Sequence, residues 1–140
     1  GKPMFQNPST DEIRQFLQSI KRIAVVGLSP KAERPSYRVA AALQRFGYDI
    51  VPVRPAISEV LGQAAYPGLS VVPGQIDLVD VFRNPDEVDA IVDECIRLNL
   101  PAIWLQDGVV NEAAALRAKA AGMFVVMDRC TFRDYTALCL

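Results

Sequence analysis

The chain contains no histidine. That removes the commonest general base, the commonest metal ligand and any Ser-His or Cys-His nucleophile pair. A hydrolase or a metalloenzyme is therefore a poor expectation, and neither a catalytic residue nor a metal site is assigned. Cysteine is scarce: Cys95, Cys130 and Cys139 are widely spaced and odd in number, which disfavours a disulfide framework or a zinc site. A reduced, cytoplasmic setting suits them. No apolar run approaches the roughly 18–20 residues of a membrane span, and the N-terminus shows no signal-peptide pattern. Gly1-Lys2-Pro3 reads partly as a cloning remnant and adds nothing to the fold pattern. The formal net charge is −1, so neither nucleic acid nor an anionic membrane is an expected partner. No internal repeat, low-complexity segment or linker interrupts the chain.

With 51% hydrophobic and 22% charged residues the composition is that of a globular protein, not a disordered one. At 140 residues the chain suffices for one domain, residues 1–140, and is too short for two ordinary ones.

The organising stretch begins at Arg22. Ile23-Ala24-Val25-Val26 reads as a buried strand that stops at Gly27. A polar loop follows, and Pro35 and Ser36 mark a helix start. A strand, a glycine turn and a helix N-terminus together suit an anion, because backbone N–H groups and the helix dipole point at it. Gly27 lets backbone approach a phosphate closely, so Gly27→Val is expected to weaken binding more than folding. Leu28 and Ser29 continue the turn, and Lys31, Arg34 and Ser36 add charge and hydroxyls. One glycine is fewer than GxGxxG requires and there is no GxxxxGK[ST], so an ordinary strand-to-helix turn remains the alternative.

Elsewhere, Ser9 and Glu12 form a capping box before Ile13, Phe16, Leu17 and Ile20, predicting a helix of about three turns. Val39, Ala42, Leu43 and Phe46 stripe the next helix, closed by Gly47. Strands are expected at 48–53, from Ile76 to Val81 or Phe82, at 102–105, and from Met123 to Val126 or Met127. Residues 56–75 read as a long connection with a brief strand near Ser70-Val71-Val72. Asn84 caps a helix with Pro85 at N1, Glu87 at N3 and a stripe of Val88, Ile91, Val92 and Cys95. Asn111 caps an alanine-rich helix through Ala121. Strands alternating with helices imply right-handed βαβ units, hence a doubly wound α/β domain of about five parallel strands.

Ligands bind such sheets beyond the carboxyl ends of the strands. That rim carries Val53-Arg54-Pro55, Phe82-Arg83, Gln106-Asp107-Gly108 and Asp128-Arg129-Cys130 besides the glycine turn. Arg54, Arg83 and Arg129 end three different strands. Arg54 stands where NAD-binding proteins place an acid, and a guanidinium suits a ribose phosphate, as in NADP or coenzyme A; a surface ion pair is the bland reading. Phe82 is either a stacking group or core. Cys130 is either an inert buried thiol or a partner for a ligand's thiol. Trp104 is read as core. Asp107 and Asp128 have no evident nucleophile or base beside them.

These motifs resemble the CoA-binding domain family, the small stand-alone proteins similar to the N-terminal domain of the succinyl-CoA synthetase alpha subunit. The resemblance covers about residues 12–135. It rests on Val26-Gly27-Leu28-Ser29, Arg34-Pro35-Ser36, Gly47-Tyr48, Val51-Pro52-Val53-Arg54-Pro55, Val81-Phe82-Arg83, Trp104-Leu105-Gln106 with Gly108, and Met127-Asp128-Arg129-Cys130. It implies a Rossmann-like fold and the cofactor coenzyme A, with the diphosphate at Gly27 to Ser29 and the adenosine near Val53 to Pro55. The pantetheine arm would run past Phe82-Arg83 toward Gln106. The family commonly has asparagine where Arg54 stands, which leaves the adenine-end contacts open. The synthetase's catalytic histidine lies outside this domain, so binding of CoA or an acyl-CoA is implied, and catalysis is not. A small NADP-dependent reductase is the alternative.

Overall fold

The Ser9–Glu12 box forms as expected. The Ser9 N–H donates to the Glu12 carboxylate at 3.0 Å and the Glu12 N–H to Ser9 Oγ at 3.1 Å, opening helix α1 (Thr10–Ser19). The computed structural model describes residues 4–140; Gly1-Lys2-Pro3 lie outside the described residues. Strand β1 (Arg22–Val26) follows, then α2 (Pro35–Arg45) and β2 (Asp49–Val53). Two short strands, β3 (Glu59–Val60) and β4 (Gln63–Ala64), pair as an antiparallel hairpin. The remaining elements are β5 (Leu78–Val81), α3 (Val88–Arg97), β6 (Ala102–Leu105), α4 (Glu112–Ala120), β7 (Phe124–Met127) and α5 (Thr131–Cys139).

The main sheet is parallel, in the order β2-β1-β5-β6-β7. Counting only its own strands this is 2-1-3-4-5, a doubly wound, Rossmann-like arrangement whose order reverses between β1 and β5. Alternation along each strand builds two cores. Ala24, Val26, Val79, Val81, Ile103 and Leu105 face α3 and α4. Ile23, Val25, Leu78, Trp104 and Val126 face the layer of α1, α2 and α5. Trp104 is fully buried as expected, and its indole N–H donates to the Arg129 carbonyl at 2.8 Å. Pro52 is tolerated within β2 because that strand is at the sheet's edge.

Three expectations are corrected. The strand near Ser70-Val72 is a 3₁₀ turn, Leu69–Val71, and the extended pieces of the long connection are the 59–64 hairpin and Tyr66. Tyr66 pairs back on β2, its N–H donating to the Pro52 carbonyl at 3.0 Å and its own carbonyl accepting from Arg54 N–H at 2.9 Å. The strand expected from Ile76 starts at Leu78, because the Asp77 carboxylate turns back to accept the N–H groups of Lys21 and Arg22. The helix after Asn84 opens with a 3₁₀ turn, Pro85–Glu87, before α3 begins. Among the described residues no helix is long and apolar enough to cross a membrane.

Candidate functional site

At the point where strand order reverses, β1 runs into Gly27. Its N–H donates to the Val53 carbonyl at 2.9 Å and its φ is +86°, a left-handed conformation that glycine adopts without strain. A Cβ at this position would lie 2.3 Å from the Phe82 carbonyl oxygen. The fold itself therefore requires this glycine, so the expectation that Gly27→Val would spare folding is corrected. Leu28 drops into the core with no exposure. The Ser29 N–H donates to Ser36 Oγ at 2.9 Å, and Ser29 Oγ accepts the Lys31 N–H at 3.1 Å. These bonds fold the loop back onto the start of α2. Pro35 fills a first-turn position there and Arg34, the capping residue, makes no side-chain cap. The first-turn N–H groups of Ser36 and Tyr37 are thus left for an external acceptor.

A cleft of about 690 Å³ opens over this turn. It brings together Gly27, Ser29, Lys31, Arg34 and Ser36 from the β1–α2 loop with Arg54 and Pro55 from the end of β2. Phe82 and Arg83 enter from the end of β5, and Gln106 from the end of β6. Four cations, Lys31, Arg34, Arg54 and Arg83, face one carboxylate, Asp107. They are lightly held: Arg54 makes one long bond, 3.4 Å, to the Gly27 carbonyl, and Arg83 stands 3.6 Å from Glu87. Ala56, next to Pro55, is held at φ +66°, an uncommon conformation for alanine that turns the chain across the cleft's outer wall.

Phe82, half-buried, is shared with a second cavity of about 750 Å³. This groove is mostly apolar and lies between α2 and the start of α5, lined among others by Val39, Ala42, Phe132 and Cys130. Pro35, Gln106 and Asp107 also border both spaces, so cleft and groove adjoin. Not every expected residue reaches the cleft. Leu28 is core, Val53 faces the opposite side of the sheet beside Pro67 and Leu69, and Cys130 lies in the groove. Burial pushes the Cys130 thiol up from its ordinary value, so it is protonated at neutral pH. Arg129 follows β7 as expected, but both its Nε and an Nη are bonded to Asp134, at 2.7 and 2.8 Å, and it lines neither space. Asp107 is bidentate with Arg133, and Asp128 accepts the Gly108 N–H.

Sequence reasoning missed Asp80. It is the central acid of β5, fully buried, hydrogen-bonded by Gln106 Nε2 at 2.6 Å and by the Thr131 hydroxyl at 3.2 Å. Burial pushes its carboxyl up from 3.8 to about 7. The folded protein so holds a proton where the unfolded chain has lost it. Stability from this site falls as pH rises from about 4 to about 7 and is level above that. The signal available was an acid inside the apolar run Leu78-Val79-Asp80-Val81, where unpaired acids are rare. Its partners, 26 and 51 residues away, were not legible.

A family model described as "CoA binding domain" matches residues 21–136. A Bacillus subtilis relative, "Uncharacterized protein YneT", is 45% identical over 125 residues, spanning 89% of this chain and 93% of that protein. A solved structure of a "hypothetical protein from Pyrococcus horikoshii OT3" superposes with a TM-score of 0.91 at 34% identity, covering 99% of this chain and 97% of the other. An acetate–CoA ligase (ADP-forming) of Archaeoglobus fulgidus is 27% identical over 71% of this chain, which spans 14% of that enzyme.

Proposed function

The chain belongs to the CoA binding domain family, and from that premise we propose that it binds coenzyme A, or an acyl-CoA, without catalysis of its own. The observation that carries this reading is the pairing of two unlike spaces across Phe82 and Gln106. The cleft offers four loosely held cations and a helix N-terminus, which suits a diphosphate and a ribose phosphate. The groove is apolar and leads toward Cys130, which suits an extended arm ending in a thiol or thioester. With the diphosphate at Ser29 to Ser36, the adenosine lies at Arg54 to Ile57 and the arm passes Phe82 and Gln106. The residues present therefore fit the cofactor. The three free cysteines accord with a reducing, cytoplasmic location for a ligand that is itself a thiol.

The same observation weighs against an NADP-dependent enzyme. The wall of the groove supplies no histidine, and Asp107 is tied to Arg133. The glycine turn, the start of α2 and Arg54 would serve the diphosphate and ribose phosphate of NADP as well, so the discrimination rests on the groove. Native mass spectrometry of purified protein, followed by calorimetry with CoA, acetyl-CoA and NADP, tests the reading. Co-purified or micromolar CoA is the expected result. NADP binding tighter than CoA, or no binding of either, overturns it.

A further inference from the structure

Gln106 is buried, with 4% exposure, yet it borders both the cleft and the groove. Its Nε2 donates twice, to Asp80 Oδ1 at 2.6 Å and to Thr131 Oγ1 at 2.9 Å, which uses both amide hydrogens. The Thr131 hydroxyl in turn donates to Asp80 Oδ2 at 3.2 Å. None of the hydrogen bonds among the described residues uses Gln106 Oε1, and none of their buried side-chain oxygens or nitrogens lacks a partner. Oε1 therefore reaches open space, at the junction that Gln106 lines. While Asp80 is ionised the orientation is dictated chemically: a carboxylate only accepts, so the amide must turn its nitrogen toward Asp80.

We propose that Asp80, which touches no ligand, is a positioning residue for ligand recognition: with Thr131 it holds the Gln106 amide nitrogen inward, so that Oε1 meets an amide N–H of the arm passing from cleft to groove. This rests on the CoA reading above, since the pantetheine arm carries two secondary amides and the junction is where it leaves the diphosphate. A neutral Asp80 carboxyl can donate as well as accept and no longer forces the amide's direction. Binding of the arm therefore favours the ionised carboxylate, and the proton displaced goes to the buffer. The groups surrounding Asp80 leave it as the switch. Its sheet neighbours are Val25 on β1 and Trp104 on β6. From α5 come Thr131 and the adjacent Cys130, uncharged at neutral pH, while Arg133 and Asp134 are paired with Asp107 and Arg129. Along the groove α2 adds Arg38 and Arg45. The raised Asp80 carboxyl, titrating at about 7, places the change near neutrality.

The test is calorimetry with two probes, CoA and 3′-phosphoadenosine 5′-phosphate, which lacks the arm, on the intact protein and on Gln106→Met and Asp80→Asn. Gln106→Met is expected to bind CoA about tenfold more weakly and the truncated nucleotide within about twofold of the intact protein. For the intact protein, CoA affinity falls about tenfold between pH 8 and pH 6, and CoA binding releases part of a proton near pH 7, read as a dependence of the heat on buffer. Asp80→Asn cannot titrate and gives a flat profile, apart from the phosphate titration that Gln106→Met also shows. If intact protein binds CoA with the same pH profile as Gln106→Met and with no more proton release than that variant, the positioning role is overturned and the CoA reading stands. Should intact protein bind no CoA, both fall. If Asp80→Asn does not fold, the intact protein and Gln106→Met decide alone.

Discussion

Arg54 and Arg129 occupy equivalent places, each just past a strand at the sheet's carboxyl edge, and the two ends of that edge have been put to different uses. Around β6, β7 and α5 the rim is closed on itself. Arg129 is bidentate with Asp134, Arg133 with Asp107, Asp128 caps Gly108, and Trp104 bonds to the Arg129 carbonyl. Around β1 and β2 the cations outnumber the anions, and Arg54 has only a long bond to the Gly27 carbonyl. The difference lies in the acids nearby. Where Asp134 falls one helical turn into α5, its neighbour Arg129 becomes structure. Where the loop offers Ser29, Ser36 and a helix N-terminus instead, the cations are left with long contacts only, Arg54 at 3.4 Å from the Gly27 carbonyl and Arg83 at 3.6 Å from Glu87. A place at a strand end therefore does not by itself leave a cation unpaired; the nearby acids decide whether it is tied down, as Arg129 is and Arg54 is not.

The largest effect expected is at Gly27, where the open end meets the fold. Gly27→Val puts a branched side chain at φ +86° and a Cβ 2.3 Å from the Phe82 carbonyl. Both β1 and β5 must shift, at a cost of at least about 3 kcal/mol. Thermal melts should show a strongly destabilised or unfolded protein. A melting temperature within a few degrees of the unmodified protein's would mean that the contact with Phe82 relaxes freely, and that the glycine serves the ligand alone.

At the closed end, Arg129→Ala leaves the Asp134 carboxylate, 7% exposed, without its bidentate donor. Because the guanidinium is itself about one-third exposed, water replaces part of the loss, and about 2 kcal/mol of stability is the expected cost. CoA affinity should stay within about twofold. Denaturant unfolding and calorimetry on one variant check both halves. An affinity loss larger than the stability loss would place Arg129 in the site and erase the contrast.

The strands and most helices were legible because apolar runs, Ser9, Pro35, Asn111 and Gly47 signal them locally. Helix α5 had no such signal. Its cap position is Cys130, which makes no side-chain cap, and its aromatic Phe132 and Tyr135 gain their meaning by stacking on Phe46. The candidate cleft was legible as a set of strand ends, in that Gly27, Arg54, Phe82 and Gln106 converge on it. What could not be read was use. The pairing of Arg129 depends on the turn of α5. Asp80, Gln106 and Thr131 lie on three elements that only the sheet order brings together. The backbone of β2 is completed by Tyr66 from a connection whose short apolar pieces carry no period.

The smallest effect, and the one that most sharpens the contrast, is expected at Arg54. Its single bond to Gly27 is long, and water can replace it, so Arg54→Ala should change stability by less than about 0.5 kcal/mol. Binding is another matter. The guanidinium stands beyond β2 at the cleft's outer wall beside Pro55 and Ala56, the place at which dinucleotide-binding βαβ units hold the adenosine ribose. A ribose 3′-phosphate there gains a charge-assisted contact, discounted because Arg54 is partly exposed, of about 1.4 kcal/mol, or tenfold in affinity. The unmodified protein should therefore prefer CoA to dephospho-CoA about tenfold, and Arg54→Ala should remove that preference while binding dephospho-CoA as before. Raising salt should narrow the gap in the unmodified protein only, since it screens the one contact the variant lacks. If CoA and dephospho-CoA bind the unmodified protein equally, Arg54 is as structural as Arg129 and the two ends of the rim do not differ in the way proposed.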